Sequence, residues 1–439
     1  MRPARGAVIT GIGLVTPVGT SPAEVADAVC VGRSGLRAPP EGHPLAGVVE
    51  VAGIGPEVDA AALVPATEVR TADRYIVMAL SAARAALDDA GLVVGTDVFP
   101  DRVAVIVSGV GGLATLESQA VARSQRGRVG VSPYLLPGML PGMGAARIAI
   151  AHGITGYTSC VATACAAGAQ SIAEGLRVIR EDDADVVICG ASEAHLFPTF
   201  ADAFGNARAL ARGWDDPAAA SRPFDRRRNG FVLSEGAGLV VLEAPAFADA
   251  RGAAGYGDVA GWGATTDAHH PTTPHPDGVQ AVRCMRRALA DAGVGKADIG
   301  YINAHGTGTK LGDAAEVRAI ETMFGHGVAV SSFKGVTGHM LGASGAVEAA
   351  VTAVAMGRGL LAPTHNLDEP DPAFDLDFIR KEPRSAPVGY ALSNSFGFGG
   401  HNVSLVLAPP STARQRIVPA VLPEPPPGLA TGGSAAGGT

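Results

Sequence analysis

Cys165 stands among small residues in Thr163-Ala164-Cys165-Ala166-Ala167-Gly168. Two histidines lie far downstream in glycine- and threonine-rich surroundings, His305 in Ala304-His305-Gly306-Thr307-Gly308-Thr309 and His339 in Thr337-Gly338-His339-Met340. A nucleophilic cysteine with histidines elsewhere in the chain is the set that acyl transfer needs. The sulfur takes up an acyl group, and the histidines move protons or stabilise negative charge beside the thioester. The small neighbours of Cys165 would let a long substrate approach it. Cys160, in the same stretch, reads as a structural core cysteine. No metal site is read, because Cys160, Cys165, His305 and His339 lack the close paired spacing of metal ligands. His269, His270 and His275, interleaved with prolines, read as a substrate-side loop ahead of a helix.

These groups need elements to hold them. A β-type run over 157–163 is followed by an alanine-rich stretch whose Ile172, Leu176 and Ile179 recur at helical period, so Cys165 falls at a strand-to-helix junction with Cys160 inside the strand. The first turn of a helix carries unpaired N–H groups and a partial positive charge, which predicts a lowered thiol pKa at Cys165. Each histidine follows an apolar run, a setting that presents a polar side chain at a strand end. Strand-like runs at 103–107 and 185–189 alternate with helical stretches at 75–90 and 172–180. The alternation resumes with a helix over 278–292 and strands over 299–303 and 328–332. The expected fold is therefore α/β with buried strands, in two halves spanning 1–252 and 253–411. Residues 412–439, rich in Pro, Gly and Ala, read as a disordered tail.

Composition narrows the function. With 439 residues, 47% hydrophobic and 17% charged, the chain can bury a large core. A net charge of −8 supplies no basic stripe for nucleic acid. Five sparse cysteines fit reduced thiols in a cytoplasmic protein. Neither a signal peptide nor a membrane-length apolar run is read. Gly11-Ile12-Gly13 lacks the third glycine of a dinucleotide fingerprint, and Pro17 sits where its helix would begin.

TACAAG at Cys165, RPFDRRRNGFVLSEGAG at 222–238, NAHGTGT around His305, FKGVTGHMLGASG around His339 and NSFGFGGHN at 394–402 occur in this order. Together they resemble the β-ketoacyl-acyl carrier protein synthase family of thiolase-fold condensing enzymes, most nearly the synthase II type, from residue 8 to about 407. The resemblance implies two similar βαβαβαββ-type halves stacked as a five-layer αβαβα sandwich. It implies a dimer, either a homodimer or a heterodimer with a chain-length-factor-like subunit. It also implies decarboxylative condensation of malonyl-acyl carrier protein with an acyl chain on Cys165, in fatty acid or type II polyketide biosynthesis. No cofactor is implied, since the substrates ride on the phosphopantetheine arm of acyl carrier protein.

Carried over, His305 and His339 would stabilise the malonyl thioester oxygen, with Lys334 orienting them and Glu348 in support. The amides of Cys165 and Phe398 would form an oxyanion hole, and Phe398 would act as a gate. Thr307 and Thr309 would bind the pantetheine arm, Val110 would line the acyl channel, and Arg70, Arg74 and Arg208 would dock the carrier. Gly142, Tyr157 and Ser234 depart from the family pattern, without touching the catalytic set. A degradative thiolase is rejected because no cysteine follows Cys284. A non-catalytic chain-length-factor-like subunit, the alternative, would lack the nucleophile.

Overall fold

The computed structural model describes residues 6–69 and 71–420. Five strands of the first half are β1 (Ala7–Val15), β2 (Val103–Ser108), β3 (Thr158–Ser159), β4 (Val186–Glu193) and β5 (Gly236–Glu243), arranged β3-β2-β4-β5-β1. In the second half β6 (Gly257–Thr266), β7 (Ile299–Asn303), β8 (Ala329–Ser331), β9 (Tyr390–Gly397) and β10 (His401–Ala408) repeat that order as β8-β7-β9-β10-β6. Directions repeat as well. The first three strands of each series are parallel and the remaining pairs antiparallel. The two series meet at β1 and β6 through Ala7, Val8 and Ile9 opposite Val259, Asp258 and Gly257.

The helices that frame the sheets and the site, in chain order, include α1 (Arg74–Ala90), α2 (Leu113–Arg126), α3 (Met143–His152), α4 (Ala167–Arg180), α5 (Pro198–Asn206), α6 (Val279–Ala292), α7 (Lys310–Phe324) and α8 (Gly342–Arg358). α4 and α8 pack on each other, and both touch strands of both halves, so they form the middle layer. α1 and α3 cover the outer face of the first sheet, while α6 and α7 cover that of the second. The result is the αβαβα sandwich of a thiolase fold. α8 is buried all round from Gly342 to Ala355, as a helix in a middle layer must be. Close approach depends on Gly168, where a Cβ would fall 2.5 Å from Gly342 O. That contact joins the start of α4, beside Cys165, to the start of α8, just after His339.

Three sequence expectations need correction. Only Thr158–Ser159 of the run 157–163 pairs as strand, so Cys160 lies just past β3 and not inside it. The chain leaves the ladder where Val161 N–H donates to the Ser108 side chain, at 2.9 Å from Oγ, instead of to a backbone carbonyl of β2. Residues 412–420 are not a free tail: Arg414–Gln415 pairs with Ala254–Gly255, Arg416 binds Asp89 and covers the Tyr256 ring, and Arg358 donates to Val418 O at 2.7 Å. The rest of that expected tail, 421–439, lies outside the described residues. Ser234 does touch the catalytic region, since its N–H donates to His339 O at 3.1 Å and its hydroxyl to Thr337 O at 2.8 Å. Among the described residues no helix is long and apolar enough to cross a membrane.

Candidate active site

Cys165 occupies a single 3₁₀ turn, Ala164–Ala166, that feeds α4. Ala164 holds the left-handed conformation at φ 49°, a strained state for a residue with a Cβ. The N–H groups of Cys165 and, from a separate loop, of Phe398 lie near enough to favour negative charge on the sulfur. Phe398 can come so near because its neighbour is glycine: a Cβ at Gly397 would stand 3.0 Å from Cys165 N and 2.9 Å from Thr163 O. The Phe398 ring itself is 37% exposed and borders the site.

His339 Nε2 lies 3.2 Å from Cys165 Sγ. Its other nitrogen is 3.1 Å from Ser344 Oγ, which also accepts the Met340 N–H at 2.9 Å. The Ser344 hydroxyl proton is not used by that amide and can be donated to Nδ1, an arrangement that puts the ring proton on Nε2, facing the sulfur. The His305 ring stands edge-on to His339 with centroids 5.2 Å apart. Its loop is held by Glu316, whose carboxylate accepts the N–H groups of His305 and Gly306 at 2.8 and 2.7 Å. Beneath both rings, buried Lys334 is paired with buried Glu348.

Burial dominates the titration of this cluster. It pushes the Cys165 thiol up to about 12, against the pull of the Lys334 charge and the two amides. The lowered pKa expected from the helix start is therefore overturned, because the field at the turn does not offset desolvation. Burial, with the Lys334 charge added, holds His305 and His339 well below the ordinary imidazole value. Both rings are neutral at pH 7. Each neutral ring carries one N–H and can donate it to an anionic oxygen.

A cavity of about 340 Å³ reaches from this cluster to the surface. Cys165, His305 and His339 form its inner end. Thr307, Thr309, Lys310 and Arg208 line the way out, with Thr272 to His275 of the histidine loop opposite. Thr307 and Thr309 hydroxyls sit 3.0 Å apart. Val110 does not line the cavity; its N–H donates to Glu193 Oε2 at 3.2 Å. Arg74 is engaged elsewhere, bonding buried Glu235 through two nitrogens at 2.9 and 2.8 Å. Arg208 is exposed at the cavity rim, and Arg70 lies outside the described residues. Sequence reading missed Ser344 and Glu316. Asp313 and Glu316, both acidic and buried at helical spacing on α7, are the signal that could have flagged a helix face receiving backbone amides.

A cysteine on a strained turn into a central helix, with two histidines from the second half beside its sulfur, is the arrangement of a thiolase-fold acyl-transfer protein. Family models for the beta-ketoacyl synthase N-terminal and C-terminal domains match residues 4–248 and 256–368. The chain belongs to the beta-ketoacyl synthase family. It is 40% identical to 3-oxoacyl-[acyl-carrier-protein] synthase 2 of Synechocystis sp. over 402 residues, covering 91% of this chain and 96% of that protein. It is 39% identical to the protein of the same name from Staphylococcus aureus, covering 91% and 97%. Among solved structures, it is similar to a beta-ketoacyl synthase from Burkholderia phymatum, with a TM-score of 0.86, 33% identity and coverage of 92% and 99%. It is also similar to a chain of the ishigamide ketosynthase/chain length factor, with a TM-score of 0.85, 32% identity and coverage of 92% and 99%.

Proposed function

We propose that this chain is a ketosynthase that condenses malonyl-acyl carrier protein with an acyl group held on Cys165. The observation that carries the reading is the placing of His339 Nε2 at 3.2 Å from the Cys165 sulfur, with the His305 ring beside it and two amides on the same sulfur. In the first half-reaction the S–C bond forms as the thiol proton leaves and the carrier thiol departs. A thiol held up to about 12 is not a standing thiolate, so proton removal accompanies attack. In the second half-reaction the C–C bond to the malonyl carboxylate breaks. Carbon dioxide leaves, and the electron pair passes to the thioester oxygen, where the N–H groups of His305 and His339 meet it. The enolate carbon then attacks the Cys165 thioester. The tetrahedral oxyanion falls at the amides of Cys165 and Phe398, and collapse expels the cysteine sulfur.

Substrates arrive on a carrier protein in this reading, so no resident cofactor is called for. Arg208 and Lys310 at the rim offer the carrier positive charge, and Thr307 and Thr309 offer its arm hydrogen bonds. The chain pairs with a second copy or with a related chain-length subunit. Support comes from one face: Val129 is 91% and Ile150 71% exposed, Leu116, Val121, Leu136 and Tyr157 are also exposed, and β3 beside them is the open edge of the sheet. The product enters fatty acid or polyketide synthesis. Incubating the protein with acyl- and malonyl-carrier proteins tests the reading. Acyl-enzyme seen by intact mass together with a β-ketoacyl product supports it, and neither forming overturns it.

A further inference from the structure

Resting on the ketosynthase reading, we propose that Phe200 sets the length of acyl chain that Cys165 can carry, and that the site admits short primers only. On the carrier side of the sulfur the cavity is open; on the other side it ends at Phe204, Phe231 and Leu341. Behind that wall stands a further ring. The Phe200 ring stands edge-on to Phe204 at 5.1 Å, and its other neighbours are Phe197 at 5.5 Å and His195 at 4.7 Å. His195 is wholly buried and bonded through Nε2 to Glu193, whose Oε2 also accepts the Val110 N–H. Contacts thus run without a break from the cavity wall at Phe204, through Phe200 and His195, to Val110. An acyl chain that leaves Cys165 in the direction of Val110 meets this stack.

The two phenylalanines at the site differ in what it takes to move them. Phe398 lies on a loop between Gly397 and Gly399, the latter at φ 82°, so local backbone rotation can swing its ring. Phe200 sits on α5, which is anchored by buried Ala201 in a cluster with Leu210 and Phe231. Its ring is wedged among three other rings, one of them fixed by a buried hydrogen bond. Phe200 is half-buried, and moving its ring requires unstacking it from these neighbours. Phe398 can therefore gate, whereas Phe200 acts as a stop.

The test loads the full-length protein with acetyl-, butyryl-, octanoyl- or dodecanoyl-carrier protein, following Cys165 acylation by intact mass and condensation with malonyl-carrier protein. Wild type is expected to load acetyl and butyryl groups at least about tenfold faster than octanoyl, in line with the selectivity that a few methylenes confer at an apolar wall. Phe200→Ala is expected to keep acetyl loading within a few-fold, which reports an intact fold, and to raise octanoyl loading about tenfold or more. Phe200→Leu, closer in volume, is expected to fall between the two. Wild type loading octanoyl as readily as acetyl overturns the proposal, and so does an unchanged length profile in the alanine and leucine variants. Failure of wild type to load any primer overturns the ketosynthase reading itself.

Discussion

The Lys334 ammonium binds Glu348 Oε1 at 2.5 Å, and both side chains are buried in the middle layer of the sandwich. This positive charge acts at once on Cys165, His305 and His339, pulling the thiol down and discouraging protonation of both rings. Its carboxylate partner comes from α8, the helix that also supplies Ser344 to His339. Charge and ring orientation therefore depend on the same helix.

Glu348→Gln leaves Lys334 charged and without its ion pair. Breaking a buried pair from one side costs about 3–5 kcal/mol, because the remaining charge stays desolvated. The variant is expected to lose stability on that scale, read as a lower urea midpoint with an unchanged denaturant slope. A midpoint equal to wild type would mean that Lys334 finds another partner.

The two cysteines separate cleanly. Cys165→Ala is expected to abolish acyl-enzyme formation, whereas Cys160→Ser, beyond the end of β3 and outside the cavity, leaves it within a few-fold. Cys165→Gln places an amide carbonyl at the donors of Cys165 and Phe398 while sparing both histidines. Carbon dioxide release from malonyl-carrier protein should persist in that variant although condensation stops. Normal acylation of Cys165→Ala would remove Cys165 from the mechanism.

Much of this was legible in residue order. Runs such as 103–107 and 186–189 are apolar and largely β-branched because they are covered on both faces, and that pattern needs no tertiary information to recognise. Cys165 and both histidines stood out through the small, flexible residues around them. The thiol's titration was not legible, because desolvation depends on what other segments place over the sulfur. Nor was the fate of Arg74, whose partner Glu235 lies far along the chain and takes up the charge assigned to docking. Val110 was expected to line the acyl channel but does not border the cavity, because rings carried by α5, a separate element, stand between them.

Neutral buried histidines predict a specific acid response. Their folded pKa values lie well below the ordinary 6.5, so below that pH the unfolded chain takes up protons that the folded chain refuses. Stability from these rings is thus present above pH 6.5 and declines as pH falls, by about 1.4 kcal/mol per pH unit for each ring. Glu316, pushed up by burial to about 7, acts in the opposite sense, since its stabilising proton is lost as pH rises toward that value. Comparing wild type with the His305→Gln/His339→Gln double variant cancels the carboxylate contribution. Between pH 6.5 and 5 the wild-type curve should fall more steeply than the variant's, and parallel curves would contradict neutral rings.

Arg208 and Arg74 predict opposite outcomes when their positive charge is lost. Arg208 is exposed at the cavity mouth, where a carrier bearing negative charge must approach. Reversing it to Glu should raise the apparent KM for carrier-bound substrate about tenfold at low salt with little change in kcat, and the effect should shrink as salt screens the encounter. Arg74 is 30% exposed and spans Glu235 with two hydrogen bonds. Arg74→Ala should therefore lower stability, by about 1–3 kcal/mol for stranding a buried carboxylate, while leaving KM near wild type. Steady-state kinetics at two ionic strengths, alongside urea unfolding of both variants, distinguishes the roles. A KM defect in Arg74→Ala as large as that in Arg208→Glu would return Arg74 to the docking surface, and an unchanged KM in Arg208→Glu at low salt would remove Arg208 from it.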